Sequence, residues 1–291
     1  MTTIRATNIH YSFRGKKVLN GLSFELKPGC TALLGPNGSG KTTLIRILTE
    51  LYHCQKGEIY MDGQCVTNQG ILPSKIGYLP QKFGVFSHLT AKETLKYIAG
   101  LKNVPLEKQE KEVERCLYLT GLEKQADLKG KALSGGMVRR LGIAQTLLGN
   151  PDFLVFDEPT TGLDPEERIR FKLLIQKEAA EGRIILLSTH IVEDIEALAS
   201  HILGIANGEL IINDSRDTLK RKADGMVWRI PGDKTDLPKE VYIRTMKEIG
   251  GEDQLIVLSN KPIGIAVAPT LEDGYLVQLK RIGFPEESLE D

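Results

Sequence analysis

An apolar run, Cys30-Thr31-Ala32-Leu33-Leu34, feeds directly into Gly35-Pro36-Asn37-Gly38-Ser39-Gly40-Lys41-Thr42, and Leu44, Ile45, Leu48 and Leu51 follow at helical spacing. A buried strand that turns through a glycine loop into a helix, with the spacing GxxxxGK[ST], is a phosphate-binding unit. It commits this part of the chain to an α/β arrangement. Glycines let successive backbone N–H groups curl around an anion, and the helix N-terminus adds its positive dipole end. The cradle candidates are Gly35, Pro36, Asn37, Gly38, Ser39, Gly40, Lys41, Thr42 and Thr43. Lys41 is placed for the β and γ phosphates of a nucleotide, and the Thr42 hydroxyl for Mg²⁺.

The rest of the chain is organised around that unit. Thr3 to Leu26 reads as strands about the turn Arg14-Gly15-Lys16-Lys17. Residues 89–150 look mostly helical: Thr90 can cap a helix over Ala91 to Leu101, and Leu106 to Thr120 interleaves acids and bases. Strands return at Phe153 to Asp157 and Ile184 to Ser188, with an amphipathic helix around Glu166 to Glu181 between them. Alternating strand and helix predict a doubly wound core with a largely parallel sheet, interrupted by a helical subdomain. A ligand then belongs at the carboxyl ends of the strands. After about residue 220 the texture changes. The strand-like runs Met226 to Ile230, Gln254 to Leu258 and Tyr275 to Leu279 predict a small α+β appendage over 221–291, with Trp228 in its core.

Three further segments carry chemistry. The strand Phe153-Leu154-Val155-Phe156 ends in Asp157-Glu158, two carboxylates where a buried strand emerges. Such a pair can hold Mg²⁺ and polarise an attacking water. Leu133-Ser134-Gly135-Gly136-Met137 is a helix start, with Ser134 a good N-cap and two glycines that permit close backbone approach. His190 closes Leu187-Ser188-Thr189-His190 at the end of the next strand.

Phosphate loop, Ser-Gly-Gly helix start and Asp-Glu strand end, in that order, resemble the ABC-type ATPases over about Thr3 to Gly208. The resemblance implies a P-loop NTPase (RecA-like) ABC ATPase core, residues 1–220, with a helical subdomain inserted at about 89–150. ATP and Mg²⁺ are the implied ligands. Asp157 and Thr42 would bind Mg²⁺. Glu158 would be the general base. Gln81, in Gly77-Tyr78-Leu79-Pro80-Gln81, matches the Q-loop amide that reports on Mg²⁺ and the γ-phosphate. His190 matches the switch histidine on that phosphate. Ser134, Gly135 and Gly136 would grip the nucleotide held by a second subunit, and Asp164, in the D-loop segment Pro159 to Pro165, would reach across the pair. Met137 departs from the glutamine common there. Tyr11 is the favoured aromatic to stack on adenine, with Phe13 as its competitor on the same strand face. Phe83, Val85, Phe86 and Leu89 either pack under the helical insert or form a groove for a partner's helix. The extended matches, Leu133 to Gln145 and Phe156 to Pro165, are similar to bacterial exporter subunits whose membrane permease is a separate chain. A soluble ABC ATPase working on ribosomes or DNA, and an importer ATPase with a regulatory C-terminal domain, are the alternatives.

Bulk composition fits this reading. There are 38 Lys and Arg against 38 Asp and Glu, so no basic footprint points to nucleic acid as a partner. Cys30, Cys54, Cys65 and Cys116 have no metal-ligand spacing and read as buried or partly buried thiols in a reducing compartment. The opening MTTIRATNIHYSF has no signal core, and no apolar run reaches the ~20 residues that span a bilayer. The expected location is the cytoplasm, peripheral on the inner face of the cell membrane through the permease. The expected partners are that permease and a homodimer or heterodimer mate across ATP.

Overall fold

The computed structural model describes residues 2–72, 75–232, 237–238 and 240–281. The chain divides into two compact units, Met1–Asn213 and Asp214–Asp291. The first holds β1 (Ile4–Phe13), β2 (Lys16–Leu26), β3 (Gly29–Leu34), α1 (Lys41–Leu48), β4 (Lys56–Met61), β5 (Gln64–Cys65) and β6 (Ile76–Leu79). It continues with α2 (Ala91–Leu101), α3 (Leu106–Thr120), α4 (Gly135–Leu147), β7 (Phe153–Asp157), α5 (Pro165–Ala180), β8 (Ile184–Ser188), α6 (Val192–Glu196), β9 (His201–Ala206) and most of β10 (Glu209–Ser215).

Two sheets are built from these strands. An antiparallel sheet runs β2-β1-β4-β5, and its first hairpin closes on Arg14-Gly15, both at positive φ as a two-residue turn demands. A six-stranded sheet runs β10-β9-β3-β8-β7-β6, with β9, β3, β8, β7 and β6 parallel. Every residue of β7 and β8 is buried. Uninterrupted apolar strands of this kind suit a parallel sheet covered on both faces. One core joins both sheets through Ile4, Ile9, Leu22 and Ile59 on one side and Leu33, Phe153, Val155 and Leu186 on the other, with Leu44 and Ile45 of α1 between. Burying each such side chain contributes roughly 1.5–3 kcal/mol. The predicted α/β core with a parallel sheet is therefore present.

The helices α2, α3 and α4 fall within the segment read as an insert. Thr90 and Glu93 form a reciprocal capping box at the start of α2. Tight glycine contacts fix α4 on the core. A Cβ on Gly77 of β6 would come within 1.9 Å of the Thr146 carbonyl oxygen, and one on Gly142 within 2.7 Å of Leu79 Cδ1. Gly77→Ala must push α4 off β6. We expect a loss of roughly 1–3 kcal/mol, read as a fall in melting temperature of about 2–4 °C for each kcal/mol. An unchanged melting temperature would show that the contact yields freely.

The second unit holds α7 (Arg216–Arg221), β11 (Val227–Pro231), β12 (Tyr242–Ile249), β13 (Glu252–Leu258), β14 (Ile265–Ala266) and α8 (Leu271–Arg281). Its sheet runs β12-β13-β11-β14 with antiparallel pairing. The helix α7 belongs here, although sequence texture placed it before the boundary at residue 220. Gly274 explains why: a Cβ there would meet the Leu219 carbonyl oxygen at 2.1 Å, so α7 and α8 lie in direct backbone contact. The run Tyr275 to Leu279 is not a strand. It lies inside α8, whose start Thr270 and Asp273 cap reciprocally, and Leu271, Tyr275, Leu276 and Leu279 then line the buried side at helical spacing. Trp228 packs against Ile230, Leu255 and Val257 and donates Nε1–H to the Ser259 carbonyl at 3.1 Å. Cys65 is exposed, unlike the other three thiols. No described helix is long and apolar enough to cross a membrane.

Candidate active site

The phosphate loop is held in shape by contacts that only glycine allows. Gly35 and Gly40 have φ of 155° and 113°. A Cβ on Gly35 would strike the Ile205 carbonyl oxygen at 2.2 Å, and one on Gly40 the Leu19 side chain at 2.6 Å. Lys41 opens α1 and folds its ammonium back into the loop, donating to the carbonyls of Gly35 (2.6 Å) and Pro36 (3.0 Å). Burial pulls its pKa below the ordinary lysine value, and the Glu158 and Asp157 carboxylates oppose that shift. An open cleft of about 380 Å³ is lined by Val18, Asn37, Gly38, Lys41, Thr42, Gln81 and Glu158, among others.

The strand end places the two carboxylates in different environments. Asp157 is 2% exposed. Its Oδ1 accepts from the Ser188 hydroxyl at 2.5 Å, and its Oδ2 is buried without a protein partner. Burial pushes its pKa up, opposed by hydrogen bonds from the Ser188 and Thr42 hydroxyls. An orphaned carboxylate oxygen beside a threonine hydroxyl suits Mg²⁺, which is bound by one or two protein oxygens and completes its shell from water and phosphate. Among the described residues no group of three or more His, Cys, Asp or Glu could hold a metal by itself. The donor set therefore fits a nucleotide-linked Mg²⁺ and not an all-protein metal cage.

Glu158 faces the cleft. Gln81 Nε2 donates to its Oε2 at 3.0 Å, and His190 Nδ1 lies 3.5 Å from its Oε1. The residue sits at φ 50°, a left-handed conformation that costs a non-glycine residue about 1–2 kcal/mol. Its N–H compensates by donating to the Ser188 carbonyl and hydroxyl, both at 3.1 Å. Gln81 and His190 thus converge on the Glu158 carboxylate, the three residues coming from three separate strand ends.

The remaining candidates lie elsewhere. Ser134 caps α4, accepting from the Met137 N–H at 3.2 Å, and Ser134 and Gly135 are exposed. Gly136 is half-buried because Glu167 lies on it: a Cβ there would reach Glu167 Oε2 at 2.5 Å. Glu167 is paired with Arg140 at 3.1 Å. Asp164 caps α5, accepting from the Glu167 N–H at 2.8 Å. None of these four lines the cleft.

The two aromatic candidates differ in their surroundings. Tyr11 is already stacked, lying 5.4 Å from Tyr52 with the rings 7° from parallel, and it packs against the main core. Phe13, at the hairpin tip, is 52% exposed. Periodicity put both on one strand face and could not foresee Tyr52 reaching Tyr11 from 41 positions further along the chain. The apolar residues after Gln81 divide. Phe83 packs against Gly142, whereas Phe86 is half-exposed and meets Tyr97 edge to face. Two residues escaped the sequence reading, Ser188 and Arg139. Ser188 stands two places before His190, and its signal was a hydroxyl at a strand end beside that of Asp157.

Comparison with known proteins places this geometry. The family model described as ABC transporter matches residues 19–161. Nod factor export ATP-binding protein I of Burkholderia thailandensis is 38% identical over 206 residues, spanning 70% of this chain and 68% of that protein. The uncharacterized ABC transporter ATP-binding protein YxlF of Bacillus subtilis is 34% identical over 221 residues, spanning 75% and 73%. Among solved structures, an ATP-binding subunit of an ABC transporter superposes with a TM-score of 0.69 at 25% identity, covering 75% of this chain and 92% of that one. A dimeric ATP-binding cassette in a post-hydrolysis state, bound to ADP and Pi, gives 0.66 at 26% identity, covering 73% and 98%.

Proposed function

Because this chain belongs to the ABC transporter family, as one of its ATP-binding and ATP-hydrolysing subunits, we propose that two copies close around ATP to drive export through a separate membrane permease. The observation that carries this reading is the clustering at Glu158. Its carboxylate stands at the mouth of the phosphate loop, steadied by Gln81 at 3.0 Å and by His190 at 3.5 Å. A water entering that cleft gives its proton to Glu158 as its oxygen attacks the γ-phosphorus, and the bond to the bridging oxygen breaks. Thr42 and Asp157, with the Gln81 amide nearby, would hold Mg²⁺, which neutralises charge on the β and γ phosphates. Lys41 leaves its loop carbonyls for those phosphates. His190 bonds the γ-phosphate.

Ser134, Gly135 and Gly136 are the face offered to the nucleotide of the second copy, because an exposed, glycine-lined helix start binds anions. Asp164 lies at the start of α5 on the same contact. A two-fold pair uses that face twice and creates two equivalent composite sites. Export as the direction is supported by the names of the Nod factor relatives. Half-exposed Phe86 and Tyr97 support the permease groove. The protein would then sit on the inner face of the cell membrane through its permease.

Phe13, and not Tyr11, is the ring available for adenine. Phe13→Ala should raise the KM for ATP by up to about tenfold, the equivalent of one lost aromatic stack. Tyr11→Ala should instead lower the melting temperature with a smaller change in KM. The reverse pattern would return the stacking role to Tyr11.

The function itself is tested by gentle purification of the intact protein from its native membranes. A polytopic membrane protein at near-equal amount is the expected companion. Ribosomal or DNA-bound proteins without any membrane protein would remove the transporter reading and leave the ATPase chemistry alone.

A further inference from the structure

The geometry points to Arg139 as a positioning residue that ties the Ser-Gly-Gly helix start to both halves of the catalytic cluster in its own subunit. This inference rests on the ATPase reading above. Arg139 lies on α4, five positions after Ser134, and is 8% exposed. A guanidinium has five N–H donors, and here all five end on main-chain carbonyls. Nε donates to Pro159 at 3.0 Å; Nη1 to Pro80 and Gln81, both at 3.1 Å; Nη2 to Asp157 at 3.2 Å and Glu158 at 2.5 Å. Among the described residues, no side-chain acceptor competes for it.

Those five carbonyls belong to two segments that leave the sheet separately. Pro80 and Gln81 follow β6, and Asp157, Glu158 and Pro159 form the end of β7 and the turn beyond it. The side chains of Gln81 and Glu158 meet at 3.0 Å on the cleft side. Arg139 therefore fixes from behind the backbone spacing that this contact needs. It also satisfies the carbonyl of Glu158, the residue held at φ 50°. Burial pulls the guanidinium below the ordinary arginine value, and the nearby Asp157 and Glu158 carboxylates oppose that shift only in part.

The contact is stiff. Gly142 and Gly77 bring α4 and β6 together with no room for a methyl group. The next residue, Arg140, bonds the Gly121 carbonyl at 2.9 Å and Glu167 of α5, which itself lies on Gly136. A displacement of the helix start by the second copy's nucleotide is thus carried along α4 into the backbone behind Gln81 and Glu158. Arg139 makes one subunit's hydrolysis sensitive to its partner's occupancy without touching either nucleotide.

The test is a double-mutant cycle on the full chain with ATPase assays. Arg139→Ala should lower kcat by about 10²-fold, the effect of misplacing a reacting group by about an ångström, while the Kd for ATP changes less than threefold. In the Gln81→Ala background the same substitution should cost far less, because the contact it positions is gone. Equal losses in both backgrounds, or a kcat within twofold of wild type, would overturn the role. If Arg139→Ala does not fold, Arg139→Lys keeps the charge and the stem but cannot span five carbonyls. It should show the same loss of kcat, and wild-type turnover in it would also overturn the inference. A wild-type protein without ATPase activity would instead remove the underlying reading, so the two failures are distinct.

Discussion

Glu158→Gln will bind ATP with near wild-type affinity and hydrolyse it about 10²–10⁴-fold more slowly, the range set by loss of a general base. The substitution is close to isosteric, so the left-handed turn at φ 50° and the backbone bonds to Ser188 and Arg139 persist. What disappears is the ability to accept a proton. The Gln81 amide, which donates to Oε2 in the native protein, can still bond the amide oxygen that replaces it. Steady-state phosphate release read beside equilibrium ATP binding separates the two effects. Normal turnover in this variant would require a different base. Asp157 offers the neighbouring carboxylate, but its Oδ1 is occupied by Ser188 and its Oδ2 would be taken by Mg²⁺.

Lys41→Ala should lose both binding and turnover. Each hydrogen bond from a charged donor is worth about 1.5–3 kcal/mol, or roughly ten- to a hundredfold in ATP affinity. Removing a preorganised donor from the transferring phosphoryl group costs a further ~10²-fold in kcat or more. The variant also leaves the Gly35 and Pro36 carbonyls without their partner, so a modest fall in stability accompanies the loss. Titration calorimetry with ATP and a thermal melt report these separately. Wild-type affinity in a folded Lys41→Ala protein would mean that the loop holds its nucleotide without the lysine.

Much of the site was legible because its chemistry is local in sequence. A glycine loop between strand and helix, two acids ending a buried strand and a serine capping a glycine pair each reveal their geometry within ten residues. Long-range contacts were not legible. Tyr52 covers Tyr11, Glu167 lies on Gly136, and Arg139 reaches carbonyls from two distant turns. Nothing in the residues around Arg139 distinguishes it from a solvated helical arginine. In the second unit, Tyr275 to Leu279 is a short, mostly apolar run that imitates a strand, and the capping pair Thr270 and Asp273 decides for helix. The strand β12 was missed for the opposite reason, since Arg244, Thr245, Lys247 and Glu248 dilute its apolar pattern.

We propose that ATP is held between two copies of this chain, one supplying Lys41 and Glu158 and the other Ser134 to Gly136. Sedimentation velocity of the Glu158→Gln protein at saturating MgATP tests it most directly, since hydrolysis cannot then reopen the pair. A particle of twice the 32.2 kDa chain is expected with ATP and a single chain with ADP. A single-chain mass at saturating ATP, with binding verified in the same sample, would contradict it.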